Sequence, residues 1–534
     1  MRVLHTMSGA RFSAPLLATV KHFSESRTSN RFSPTEDRSS PVPAPSALDR
    51  TGSVATNRLA VHYAAGRTSS ARGTRTVPRR DPVTGLPALD VVPATPDEVA
   101  EAVAAADGAR LQWRRTPPAA RATALRDAAA AVRAGAEELG DELCRATGRL
   151  LSQSVESALV AADLLDEAAT TGLGAGGRVL AGGWSALDVV RREPHGVVAV
   201  ITPWNDPYPA AAGLLAAALI TGNTVVHKPS ERSAVPGWRL ASLVAAHLPS
   251  GVLNVVNGDA PTGEALVADA RVALVAQVGS TATGRRIASV VGARGARVIR
   301  ENGGKDPLLV DDGVDPAWAA RQIATGAFTN TGQLCTSVER VYLHEAVADA
   351  VLAELVSICA TFEVGDPTES TTELGPLVDD EQLAVVQRHV DQAVAAGARV
   401  LAGGRRLDRA GSFYPPTVLD GCTPEMDVMT EETFGPVAAV TRVPDFDRGL
   451  ELAGRGRYGL AATVLTPDLD HALRAADELE VGTVKVNAVF GGAPGGSADP
   501  RRDSGAGAGY GPDLLDAMTV LKAVHVEACP PVVG

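Results

Sequence analysis

No apolar run in this 534-residue chain reaches the roughly 18 residues that a membrane-crossing helix needs. The longest candidate, Tyr208 to Gly222, is short and mostly alanine, which suits a buried core helix and gives no sign of a membrane partner. A basic surface is lacking too: 50 Lys and Arg stand against 62 Asp and Glu, a formal charge of -12. Binders of nucleic acid or anionic membranes need the opposite balance, so neither partner is expected. Cysteine is scarce. Cys144, Cys335, Cys359, Cys422 and Cys529 are odd in number and scattered, which excludes a disulfide framework and a CxxC metal pattern and fits a reducing, cytoplasmic setting. The ten histidines form no HExxH and no cluster at ligand spacing, so no protein-bound metal is expected. Lysine occurs only at positions 21, 228, 305, 485 and 522, and each one retained is a candidate for a specific role.

What is present is ordinary globular material. Hydrophobic residues make up 45% and charged residues 21%, enough for most of the length to bury a core, and the length itself implies two to four domains. Residues 1 to 80 are the exception. They are rich in Ser, Pro and Arg without an apolar period, and are expected to form a disordered extension that is dispensable for catalysis. The first 24 residues contain no Asp or Glu and are similar to an organelle transit peptide; a bacterial extension or a start codon placed too early fits equally.

Order is expected from the turn-rich Asp81 to Pro87. At Thr95 to Glu98 an N-cap threonine, a first-turn proline and a glutamate three residues on predict a capping box and a helix start. Short β-prone runs at 197–201, 224–227, 253–256, 272–278 and 296–299 alternate with helical stretches at 207–220, 235–247 and 282–291, the pattern of a parallel sheet with crossover helices. A second alternating α/β region follows: a strand at 308–310, a helix near 315–329, a strand at 340–344, a helix at 346–361, and further strands to about 487. Gly172 to Gly177 matches GxGxxG, but it follows a helical stretch and leads into a strand, the reverse of a dinucleotide turn; it reads as a turn into a hairpin.

The chemistry concentrates in PWN (203–205), HKPSE (227–231), GSTATG (279–284), ENGGK (301–305), GQLC (332–335) and EETFGP (431–436). Six such segments in this order resemble the aldehyde dehydrogenase superfamily of the hydrolytic, NAD(P)-dependent type, from about Asp81 to Val526. The resemblance implies two Rossmann-like parallel-sheet domains plus a small β bridging element. The cofactor-binding domain would comprise 81–177 and 195–300, the catalytic domain 301–511, and the oligomerisation strands 178–194 and 512–529. Such strands pair protomers in the family, so a homodimer or homotetramer is expected.

The resemblance also assigns roles. Cys335, in a glycine-bearing loop and carrying the strongest nucleophile available at neutral pH, would attack the aldehyde carbon; the other four cysteines lack that context. Glu301 would deprotonate the water that hydrolyses the thioester. The Asn205 amide and the Cys335 backbone N–H would hold the oxyanion. On the cofactor side stand Lys228 and Glu231 at the adenosine ribose, Ser280 opening a helix toward the pyrophosphate, Glu432 and Phe434 at the nicotinamide ribose and ring, and Trp204 and Gly279 as further cofactor-binding positions. A carboxylate at 231 repels a 2′-phosphate, which favours NAD over NADP. Asn302 stands where the family has Leu and is expected to add a hydrogen bond to the glycine turn; Asp206 and Tyr208 replace apolar residues, so a more polar substrate entrance is expected. The glycine-rich stretch from Gly491 to Gly511 is the poorest match and is expected to be mobile. Two rivals remain: a CoA-acylating dehydrogenase, which the presence of Glu301 opposes, and a catalytically silent member acting as a binding protein, which the joint presence of Asn205, Glu301 and Cys335 opposes.

Overall fold

The computed structural model describes residues 58–174, 176–491 and 496–529. Its first sheet has eight strands in the order Gly505–Ala506, Arg297–Glu301, Val272–Val278, Val197–Thr202, Thr224–Pro229, Leu253–Val255, Val61–Ala64, Arg67–Ser70. The five central strands are parallel, and the other three are antiparallel additions at the edges. Val197–Thr202 and Thr224–Pro229 are buried at every position because helices cover both faces. One of these, Pro207–Ile220, is apolar all round, as a helix enclosed on all sides must be. From Val197–Thr202 the chain winds outward one way through the next two strands, then returns to place Val272–Val278 on its other side. That reversal opens a crevice at the carboxyl ends of Val197–Thr202 and Val272–Val278, where open α/β sheets bind ligands.

The second sheet has seven strands in the order Arg399–Ala402, Thr417–Asp420, Val437–Val443, Val338–His344, Asp306–Val310, Ala461–Leu465, Thr483–Val486, all parallel except the first. A third sheet joins Gly177–Leu180, Ala186–Pro194 and Thr519–Glu527. The last two pair antiparallel over nine residues, so the segments at 178–194 and 512–529 do come together, and they leave Val179, Leu187 and Leu521 exposed. The capping box is present, with Thr95 Oγ1 accepting from the Glu98 N–H and the Glu98 carboxylate accepting from the Thr95 N–H at 2.9 Å. The GxGxxG stretch is a short 3-10 turn, Gly172–Gly174, ahead of the strand at 177, as its context predicted.

Two expectations need correction. Residues 58–80, expected to belong to a disordered extension, form strands instead; the rest of that expectation, residues 1–57, lies outside the described part. The hairpin Val61–Ala64 and Arg67–Ser70 extends the first sheet, and Val77–Arg80 pairs with Pro87–Val91. Apolar periodicity misses this region because polar side chains do much of the fastening: Ala65 N–H donates to Asn254 Oδ1 (3.1 Å), and Asn257 Nδ2 donates to the Val61 carbonyl (2.8 Å). Among the described residues of the glycine-rich C-terminal stretch, pairing replaces the expected mobility. Arg501–Arg502 pairs with Tyr458–Gly459, and Gly505–Ala506 pairs with Arg300 and Glu301. The stretch expected to belong to the catalytic half thus supplies an edge strand to the other sheet.

Candidate active site

A cleft of about 450 Å³ opens at the switch point of the first sheet. Pro203, Trp204 and Asn205 enter it from the end of one strand, Val278, Gly279 and Ser280 from the next, and Glu301, Asn302 and Gly303 from the third. The second sheet contributes Cys335, Glu432 and Phe434 from loops. The three residues expected to do the chemistry therefore share one cavity, together with five of the seven expected to hold the cofactor: Trp204, Gly279, Ser280, Glu432 and Phe434.

Lys228 and Glu231 are the exceptions, since neither lines the cleft. Lys228 is buried, and its Nζ donates to the carbonyls of Pro229 (2.8 Å) and Gly258 (2.7 Å). Burial lowers its pKa, with Glu231 and Asp259 opposing. One of its three N–H groups remains for a ligand at the strand end.

The Cys335 loop is shaped by buried amides. Asn205 Nδ2 donates to the Gln333 carbonyl at 3.0 Å, Asn330 Nδ2 donates to the carbonyls of Asn205 and Gln333, and Gln333 Nε2 returns a bond to the Asn330 carbonyl. Asn205 keeps its second N–H for the cleft. Burial, reinforced by the carboxylates of Glu301, Asp306, Glu432 and Asp206, pushes the Cys335 thiol well above its ordinary range. Burial pushes the Glu301 carboxyl up to about 7, a value matched to proton transfer at neutral pH.

The double glycine after Glu301 is required by close approach. A Cβ on Gly303 would lie 2.3 Å from the Glu432 carboxylate, and one on Gly304 would lie 2.7 Å from the Cys335 carbonyl. Glycine at both positions lets the strand end, the thiol loop and the 432 carboxyl converge. Glu432 accepts from the Gly304 N–H at 3.2 Å and is raised to about 8, chiefly by burial. Asn302 bonds the Asp503 carbonyl through Nδ2 (3.3 Å), so this departure fastens the C-terminal segment and not the glycine turn.

Sequence reasoning missed the supports of Phe434. Phe434 has φ +54°, a costly conformation for an aromatic residue, and sits edge-on to Trp204 with ring centroids 5.5 Å apart. Glu339 holds it there by accepting from the N–H groups of Thr433 (2.7 Å) and Phe434 (2.9 Å), while Gln382 Nε2 donates to both carbonyls. The buried Lys305 ammonium completes the clamp on Glu339 at 2.5 Å. Lysine scarcity was the one available signal, pointing to Lys305 and not to its partner.

The residues present fit a dinucleotide. Gly279 has φ +156° and no side chain at the start of the helix Thr281–Ala293, Ser280 caps that helix, and the buried Thr281 hydroxyl lacks a partner among the described residues. The edge-to-face Trp204–Phe434 pair offers an apolar wall for a planar ring.

Fold and cleft together place the chain among the α/β oxidoreductases that use a nicotinamide cofactor. The family model described as "Aldehyde dehydrogenase family" matches residues 68–524. An α-ketoglutarate semialdehyde dehydrogenase of Haloferax volcanii is 37% identical over 447 residues, covering 80% of this chain and 91% of that protein. The crystal structure of an NAD-dependent aldehyde dehydrogenase from Sinorhizobium meliloti superposes with a TM-score of 0.86 at 33% identity, over 89% of this chain and 96% of that one. An NADP-dependent enzyme of E. coli superposes at 0.85 with 28% identity, over 88% and 98%. The chain belongs to the aldehyde dehydrogenase family.

Proposed function

We propose that the protein oxidises an aldehyde to its carboxylic acid with NAD, through a thiohemiacetal and then a thioester on Cys335. The observation that carries this reading is the meeting of the Cys335 thiol, the Asn205 amide and a Glu301 carboxyl poised near 7 in one cleft. Cys335 loses its proton to a carboxylate in the cleft and its sulfur bonds to the carbonyl carbon. The charge that develops on oxygen is met by the free N–H of Asn205 and the backbone N–H of Cys335. The C–H bond of the thiohemiacetal then breaks as the oxyanion collapses to the thioester carbonyl, and NAD, when bound, would supply the acceptor for the departing hydride. Glu301 then takes a proton from water, which attacks the thioester, releases the acid and restores the thiol.

Gly279 and Ser280 face the pyrophosphate, Trp204, Glu432 and Phe434 face the nicotinamide end, and Lys228 and Glu231 hold the adenosine ribose. The Glu231 carboxylate opposes a 2′-phosphate, which is the argument for NAD over NADP. The sheet at 177–194 and 519–527, with its exposed apolar residues, supports a homodimer or homotetramer. Among the described residues no helix is long and apolar enough to cross a membrane. The test is reduction of NAD and of NADP by a panel of aldehydes, with and without CoA. NADH formed without CoA, and an acyl group trapped on Cys335 in Glu301→Gln, are expected. A strict requirement for CoA would assign the acylating reaction instead, and no reduction with any aldehyde would refute oxidation.

A further inference from the structure

The wall of the cleft facing the strand ends is formed by one stripe of the helix Pro207–Ile220 and by the C-terminal segment. Asp206, Pro209 and Ala210 line the cavity, and Gly213 lies one turn further along the same stripe. The Tyr510 ring lies across Gly213, with its Cε1 3.0 Å from where a Cβ would stand. On the other side of Tyr510, a Cβ on Gly509 would sit 2.6 Å from a Glu301 carboxylate oxygen. Two small residues thus let a large phenol lie between the base and the start of the helix. Tyr510 is 36% exposed in the cleft, and its hydroxyl has no protein partner among the described residues.

Asp206 is half satisfied. Its Oδ1 accepts from Ser157 Oγ (2.6 Å) and is ion-paired with Arg149 Nη1 (2.9 Å), while Oδ2 has no partner among the described residues. Arg149 neutralises the carboxylate, so what Asp206 offers the cleft is a lone pair and not an uncompensated charge. That suits a hydroxyl better than an ammonium, which Arg149 would repel. A carboxylate on the substrate fares worse. Among the described lining residues of the cleft the one cation that could pair with it, Arg232, is engaged by Asp379 (2.9 Å) and Glu381 (2.8 Å).

We propose that Asp206 and Tyr510 form a hydroxyl-recognition subsite, and that the substrate is a short, uncharged hydroxyaldehyde whose hydroxyl donates to Asp206 Oδ2 and accepts from the Tyr510 phenol. The inference rests on the aldehyde-oxidation reading and specifies its substrate class. It departs from the Haloferax relative, whose named substrate is a carboxylate-bearing aldehyde.

The test is a comparison of kcat/KM for propanal, 2-hydroxypropanal, 3-hydroxypropanal, 3-aminopropanal and succinate semialdehyde in the wild type, Tyr510→Phe and Asp206→Asn. The wild type should favour a hydroxypropanal over propanal by at least about tenfold, the discrimination expected when polar groups would otherwise be left unpaired. Tyr510→Phe keeps the ring packed over Gly213 and removes only the hydroxyl. Asp206→Asn keeps an acceptor for Ser157 and Arg149 and turns an N–H toward the cleft in place of a lone pair. Each should bring the hydroxypropanal-to-propanal ratio close to one, a readout that a general loss of activity does not move. A ratio unchanged in both variants overturns the subsite. So does a wild type that prefers propanal, the aminoaldehyde or the semialdehyde, even while aldehyde oxidation itself stands. No turnover with any of the five, on NAD or NADP, would remove the oxidation reading and this inference with it.

Discussion

The two walls of the cleft are held in place by different means. The wall carrying Asn205, Gly279 and Glu301 consists of the residues that directly follow or end parallel strands, so the register of the sheet places them and neighbouring helices lock the strands. The wall carrying Asp206 and Tyr510 is a helix stripe overlaid by a segment from almost 300 residues later in the chain, held by long-range contacts with Arg149 and Ser157. In the proposed reaction the first arrangement serves the steps that every aldehyde must undergo, and the second, which is joined to it at Asn205–Asp206 and at the Glu301–Gly505 pairing, serves recognition.

The largest effect is expected at Cys335, which faces the strand-end wall from a loop of the second sheet. Cys335→Ala should abolish NADH formation, by at least about 10⁴-fold, while NAD titration still shows binding; Cys359→Ala, in a buried and unrelated position, should change little. Equal losses would remove Cys335 from the mechanism. Glu301→Gln should lower steady-state turnover by about 10²- to 10⁴-fold and leave a single-turnover burst of NADH, because the acyl group forms before the hydrolysis that Glu301 serves.

The wild-type rate should rise with pH through about 7 as Glu301 ionises, and the variant should lose that limb. The sign for stability is the opposite. The folded carboxyl holds its proton more tightly than the unfolded one, so its ionisation costs stability from about 4.5 upward, and the cost is complete above about 7. Thermal melts of wild type and Glu301→Gln should therefore converge at low pH and separate above neutrality. Melts that keep a constant offset from pH 4 to 9 would show that burial does not shift this group.

Asn205→Ala should reduce kcat by about 10²- to 10³-fold with little change in NAD affinity, the ordinary consequence of losing one oxyanion donor. A tenfold effect or less would assign the oxyanion to backbone donors alone. The smallest effect is expected at the far edge of the first sheet. A chain beginning at Asp81 loses the hairpin at 61–70 and buried Leu59, worth about 1.5–3 kcal/mol from that one side chain, so it should melt a few degrees lower than the full chain. An unchanged melting temperature would mean that the hairpin contributes no stability.

The same division explains what could be read in advance. The strands of the first sheet and the helix at 207–220 were legible from local pattern, continuous apolar runs between turn residues, whereas the grouping of Cys335, Glu301 and Asn205 came only from the family resemblance of the short motifs that carry them. Residues 58–80 were not, because their order comes from partners such as Asn254 and Asn257, almost 200 positions away. Tyr510 was hidden for a similar reason. Its importance depends on Gly213 and Gly509 being small, which has meaning only once the segment is laid across the helix. Glu339 was hidden as well, since a glutamate inside a strand-like stretch gives no hint that it grips two backbone amides.

The C-terminal segment also constrains motion. Within six residues it pairs with Tyr458–Gly459 beside one sheet and with Arg300–Glu301 at the edge of the other. It acts as a stitch across the seam between the two halves. A hinge that swung them apart to admit or release ligands would have to break both ladders, one of which includes Glu301 itself. Traffic through the cleft is therefore left to its open mouth and to side-chain movement, and turnover should be possible with the two halves held at a fixed angle.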